Sequence, residues 1–246
     1  MNKTYRNISL IVEVRTSILY LRIGLGEIQK ISGDNDFYHP VMVFLSGGLE
    51  RLLKTMLCLH FEEVNNRLPN QNEIWNNPKG HDIEFLKGKV EQIVIPIDRN
   101  FGLNDYEIIT ADPLINRICK SLSEYGKHGR YFNLDAILGH AQEFNAQGEW
   151  ENIETQVLKE FFGEDKYNKL IADPDKLDLI YETSNKILTS KLETFFRALT
   201  KQFILGNFSS KSKQFRFEIQ DFINIKEEDL GKTDYNSFEN HERIKR

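Results

Sequence analysis

The chain of 246 residues, 40% hydrophobic and 28% charged, is long enough to bury a sizeable core unaided, which excludes the small scaffolds that depend on disulfides or metal ions. Thirty-seven acidic residues against 32 basic ones leave a formal charge of -5. That excludes the broadly basic surface of a nonspecific nucleic-acid binder while leaving room for local basic patches.

The N-terminal residues are apolar but broken by Glu13, Arg15 and Arg22, so they lack the run of a signal peptide or membrane span. From Ile8 to Ile31 the residues Ile11, Val14, Ile18, Leu21, Leu25 and Ile28 recur at spacings of three and four and predict a long first helix. A loop over GDNDFYHP follows, with Pro40 suited to the first turn of a second helix, Val41 to Val64. Gly48 falls within the apolar stripe of that helix, beside Leu45, Leu49 and Leu52. A missing side chain there lets another helix approach closely, although the Gly47-Gly48 pair also permits a kink.

The Asn- and Pro-rich stretch 65–80 predicts a surface loop, after which His81 or Asp82 stands where a helix N-cap belongs. Residues 95–112 read as irregular and end in Asp112-Pro113, a cap and first-turn pair for a helix running to about His128. Further helices are predicted after Gly129, from Trp150 to Phe162 and around Tyr167 to Ile171, and a long one from Leu177 to Leu205 stopped by Gly206. Beyond it, QFRFEIQDFINI alternates apolar and polar residues like a strand, and the charged residues at the C-terminus are expected to fray. The expected architecture is mainly α: an antiparallel bundle of about six to eight helices over 1–206, with 207–246 as a C-terminal extension carrying a short β-like segment.

No phosphate-cradling glycine loop is present, so no nucleotide cofactor is expected. His39, His60, His81, His128, His140 and His241 are too scattered for a zinc site, and no metal is expected. Cys58 and Cys119 lie on apolar helix faces as inert thiols, without metal or redox spacing, which fits a reducing, cytoplasmic compartment. His60 reads as a core histidine. Arg15 and Arg22 share a helix face from which they can meet Glu50.

The richest local constellation is EYGKHGRYFNLD, residues 124–135, where Lys127, His128 and Arg130 alternate with Tyr125, Tyr131 and Phe132. Cations among aromatic rings hold single-stranded nucleic acid, and equally they complement the dipole at a helix C-terminus.

The run Leu49-Glu50-Arg51-Leu52-Leu53-Lys54 on an apolar helix, a polar loop, and Lys79-Gly80-His81-Asp82 opening the next helix resemble the HEPN superfamily of prokaryotic helical bundles and its abortive-infection relatives. The resemblance spans about residues 41–140. It implies a helical protein that forms a homodimer and often acts on RNA in toxin–antitoxin or phage-defence systems. Catalytic members carry an arginine closely followed by a histidine on one helix. Arg51 with His60 and Arg130 with His140 are both too widely spaced, so the resemblance implies a noncatalytic member.

The expected function is therefore a binding module for RNA or a partner protein, with Arg51, His81, Lys127, His128, Arg130 and Tyr131 as candidate binding residues. The alternative is a metal-independent RNase using Arg51, His81, His128 and Arg130. A third reading has the β-like segment augmenting a partner's sheet.

Overall fold

The computed structural model describes residues 2–70, 72–75, 79–97, 102–129, 132–139, 144–208 and 210–237. Ten helices are found among them: α1 (Lys3–Ile28), α2 (His39–Asn65), α3 (Ile83–Glu91), α4 (Gly102–Thr110), α5 (Pro113–Lys127), α6 (Phe132–Ile137), α7 (Ala146–Phe162), α8 (Glu164–Ile171), α9 (Leu177–Leu205) and α10 (Gln220–Ile223). None is long and apolar enough to cross a membrane.

Helices α1 and α2 form the spine, an antiparallel pair each about 40 Å long at 1.5 Å per residue. Of the predicted stripe, Val14, Ile18, Leu21, Leu25 and Ile28 are fully buried, while Ile11 near its start is only half-buried. Where the two helices cross, each carries a notch for the other. A Cβ at Gly48 would stand 2.9 Å from the backbone nitrogen of Leu21, and one at Gly24 would stand 3.1 Å from that of Leu45. The glycines thus exchange local helix propensity for contact between backbones. Gly47 faces outward from that notch, where the ring of Tyr20 lies 3.2 Å from its Cβ position.

Helices α3 and α5 pack on α2, α7 packs on α5, and α9 runs along α4, α7 and α10. The caps are those the sequence predicts: Asp112 accepts from the Ile115 amide with Pro113 in the first turn, and Asp82 rather than His81 caps α3. The stretch read as irregular contains α4, whose Ile109 is fully buried and whose Asp105 pairs with Lys201 of α9.

The β-like segment is not a strand. Residues 210–217 form a 3-10 helix and α10 follows, with Ser212, Phe215, Ile219 and Phe222 buried at spacings of three and four while Phe217 faces solvent. Phe217 supplied the apparent alternation, and the helical spacing was concealed beneath it. An edge strand for a partner's sheet is therefore not on offer there. Phe222 meets Phe196 of α9 at 5.2 Å, edge to face, and Phe215 packs on Phe203. Residues on both sides of Gly206 thus share one buried cluster. The chain then returns to α1 and α9, where the amide of Asn236 donates to Gly26 O and Tyr235 Oη donates to the buried carboxylate of Glu193. The tail read as frayed, 238–246, lies outside the described residues.

Candidate functional site

Among the described candidate cations, Arg51 turns away from the others, toward the first helix. Arg51 donates to Glu13 of α1 at 2.5 Å and lies over the Tyr20 ring, so it covers the seam between α1 and α2. Arg15 and Arg22 turn toward Glu218 and Asp221 of the C-terminal segment instead of Glu50. Glu50 accepts from Lys54 and sits 3.3 Å from Nδ1 of the exposed His81. Lys127 is nearby, shared between Glu124 at 2.7 Å and Asp82 at 3.5 Å. Although burial acts to raise it, the Phe85 amide, the Ser123 hydroxyl and Lys127 hold the Asp82 carboxyl below its usual range. His128 is the C-cap of α5, its amide donating to Glu124 O. Arg130 and Tyr131 lie outside the described residues. His60 is half-buried, with Nδ1 3.3 Å from Asn207 O, and is not a core histidine.

A better-formed concavity opens where the loop DFYHP enters α2. Pro40 fixes the first turn, and the two residues before it part company. Tyr38 turns inward, 4% exposed, and its hydroxyl donates to Glu154 Oε2 at 2.7 Å, while Trp150 Nε1 donates to Oε1 at 3.1 Å. Both oxygens of Glu154 are thereby engaged, and burial pushes its carboxyl up to about 7. Burial and the facing carboxylate push the Tyr38 phenol well above its usual range.

His39 stays at the surface. Its ring stacks on Phe37 (centroids 6.0 Å apart, planes 21°) and meets Tyr125 edge-on, with Tyr125 Oη 2.8 Å from Nδ1. These residues, with Asp36 from the entering loop, Asn133 from α6 and Glu151 from α7, line a cleft of about 680 Å3, within the range of ligand-binding pockets. Tyr125 and Asn133 belong to the constellation 124–135 singled out in the sequence, but it is their ring and amide, rather than the cations, that face the cleft.

The cleft holds no Ser, Thr, Cys or Lys among its described lining residues, so none of these stands beside His39 as a nucleophile. Glu154 is sealed behind Tyr38, and the partner of His39 is a phenol rather than a carboxylate. Such a site can stack, hydrogen-bond and attract charge. Cys58 and Cys119 lie elsewhere, and burial pushes both thiols up to about 12. Among the described residues no three of His, Cys, Asp or Glu converge as they would around a metal ion. Comparison with protein-family models, with curated proteins and with solved structures finds no match.

No motif marks Tyr38 or Glu154, and His39 stands out in the sequence only among the histidines too scattered for zinc. Glu154 had a signal: it lies on the apolar stripe of α7, between Ile153 and Val157 and one turn after Trp150, where a carboxylate demands donors.

Proposed function

We propose that the chain is a noncatalytic helical binding module, HEPN-like in its paired long helices, which holds a partner in the cleft at the opening of α2. The observation that carries this reading is that the described candidates Arg51, His81 and Lys127 each face a carboxylate of the fold itself. Arg51 is engaged at the α1/α2 seam and Lys127 by two carboxylates, while the described lining of the cleft offers aromatic rings, amides and two carboxylates without Ser, Thr, Cys or Lys. A partner protein is favoured over RNA, because a phosphate chain entering the cleft meets the carboxylates of Asp36 and Glu151. The homodimer and the prokaryotic defence setting implied by the resemblance belong to the same proposal.

The test is incubation of the purified protein with single-stranded RNA in a chelator, followed by native mass measurement. Intact RNA and a dimer mass are expected. RNA cleavage that disappears in His81→Ala or His128→Ala would overturn the reading in favour of the metal-independent RNase.

A further inference from the structure

We propose that the cleft between α2, α5 and α7 takes an organic cation, an alkylammonium or guanidinium group such as the side chain of lysine or arginine. This rests on the binding-module reading and gives its ligand a chemical class. Asp36 and Glu151 approach the cleft from two different elements, the loop before α2 and the second turn of α7. Gln147 donates to one oxygen of Glu151, which leaves the other for a ligand. None of the described lining residues is Lys or Arg.

The walls suit such a group as well as the charges do. Phe37 is 63% exposed, an unusual state for a large aromatic at the rim of a cavity, and its stacking on His39 holds the ring in place. Tyr38 and Tyr125 add two more rings to the same cleft. Aromatic faces attract ammonium and guanidinium groups, and flanking carboxylates supply the hydrogen-bond acceptors those groups need. Behind Tyr38, Glu154 adds a third acid, and Asp36, Glu151 and Glu154 all act on the neighbouring Tyr181. The openings of α2 and α7 also point here, but each carries only about half a positive charge, less than a full carboxylate. The side chain of Asn145 already accepts one of the free amides of α7.

The experiment is calorimetric titration of the full chain at about pH 8 with blocked arginine, blocked lysine and spermidine, using blocked glutamine and AMP as neutral and anionic comparisons. The three cations are expected to bind and the other two not. Asp36→Asn with Glu151→Gln, and separately Phe37→Ala, are each expected to weaken binding by about fivefold or more, with far-ultraviolet circular dichroism unchanged because all three side chains are exposed. Tighter binding of the blocked residues than of spermidine assigns the source to a partner protein's side chain, and the reverse order to a free polyamine. Either order supports the proposal. Failure of all three cations to bind, binding undiminished in the variants, or equal binding of blocked glutamine overturns it. AMP binding that is lost in Phe37→Ala also overturns it, yet leaves the binding-module reading standing, whereas RNA cleavage in chelator strikes that reading itself.

Discussion

Replacing Gly48 with alanine sets two effects of opposite sign against each other. In an open helix the change gains about 1 kcal/mol of propensity. At Gly48 the new methyl would lie 2.9 Å from the Leu21 backbone nitrogen and 2.9 Å from its Cγ and Cδ2. A side chain could rotate away, but the backbone of α1 cannot yield without lifting the helix from its neighbour. Overpacking of that kind costs about 1–3 kcal/mol, and separating two long helices also loosens contacts on either side of the crossing. The net expectation is a loss of up to about 2 kcal/mol. Gly88 provides the internal comparison, since it lies inside α3 with nothing within 4 Å of its Cβ position. Gly88→Ala should therefore gain close to 1 kcal/mol. Urea unfolding followed by circular dichroism should separate the two variants by about 1–3 kcal/mol, or roughly 2–12 °C in Tm for a chain of this size. If Gly48→Ala is as stable as Gly88→Ala, the account of the helix crossing is wrong.

Glu154 makes stability depend on pH. Burial lifts its carboxyl from 4.5 to about 7, so as pH rises through that window the unfolded chain releases a proton that the folded chain retains, and stability falls by about 3 kcal/mol. Glu154→Gln should flatten that slope in unfolding measured across the window, whatever its absolute stability, and an unchanged slope would refute the assignment. Ending the chain at Gly206 should abolish cooperative unfolding, because Phe215, Ile219 and Phe222 are each at most 1% exposed and their burial contributes about 1.5–3 kcal/mol apiece. A sharp thermal transition in that fragment would show the helices before it to be self-sufficient. With thiols pushed up to about 12, Cys58 and Cys119 should alkylate slowly in the native protein at neutral pH, the half-buried Cys58 ahead of Cys119. Rapid labelling of Cys119, followed by mass spectrometry, would contradict its burial.

The long helices were legible because their apolar residues repeat over many turns, and Gly48 was legible because it interrupts such a stripe at a single position. The caps Asp82 and Asp112 were legible from local chemistry, an acidic side chain just ahead of an apolar run or a proline. The segment 210–223 misled because short helical pieces show too few turns to establish a period, and Phe217, 79% exposed, falls where a strand would place an inward residue. The cleft was hidden for a different reason. It joins Tyr38, Tyr125 and Glu151 across the fold, and no spacing along the chain encodes the hydrogen bond from Tyr38 to Glu154, 116 residues away. Arg51 shows the converse: its neighbours in sequence suggested a site, and its partner Glu13 on another helix gave it a structural role.

The C-terminal segment closes the molecule on its own beginning. Arg15, Arg22, Gly26 and Gln29 of the first helix and its end find partners 199 to 210 residues later, at Glu218, Asp221, Thr233, Tyr235 and Asn236. During synthesis on a ribosome, α1 must therefore wait for about 200 further residues before these contacts can form. Closing such distant pairs is entropically slow, and meanwhile the aromatic flank of α9 stands uncovered. Newborn copies should thus pass through an interval in which Phe196 and Phe203 invite association with other nascent chains, and any factor that shields them would raise the yield of folded protein.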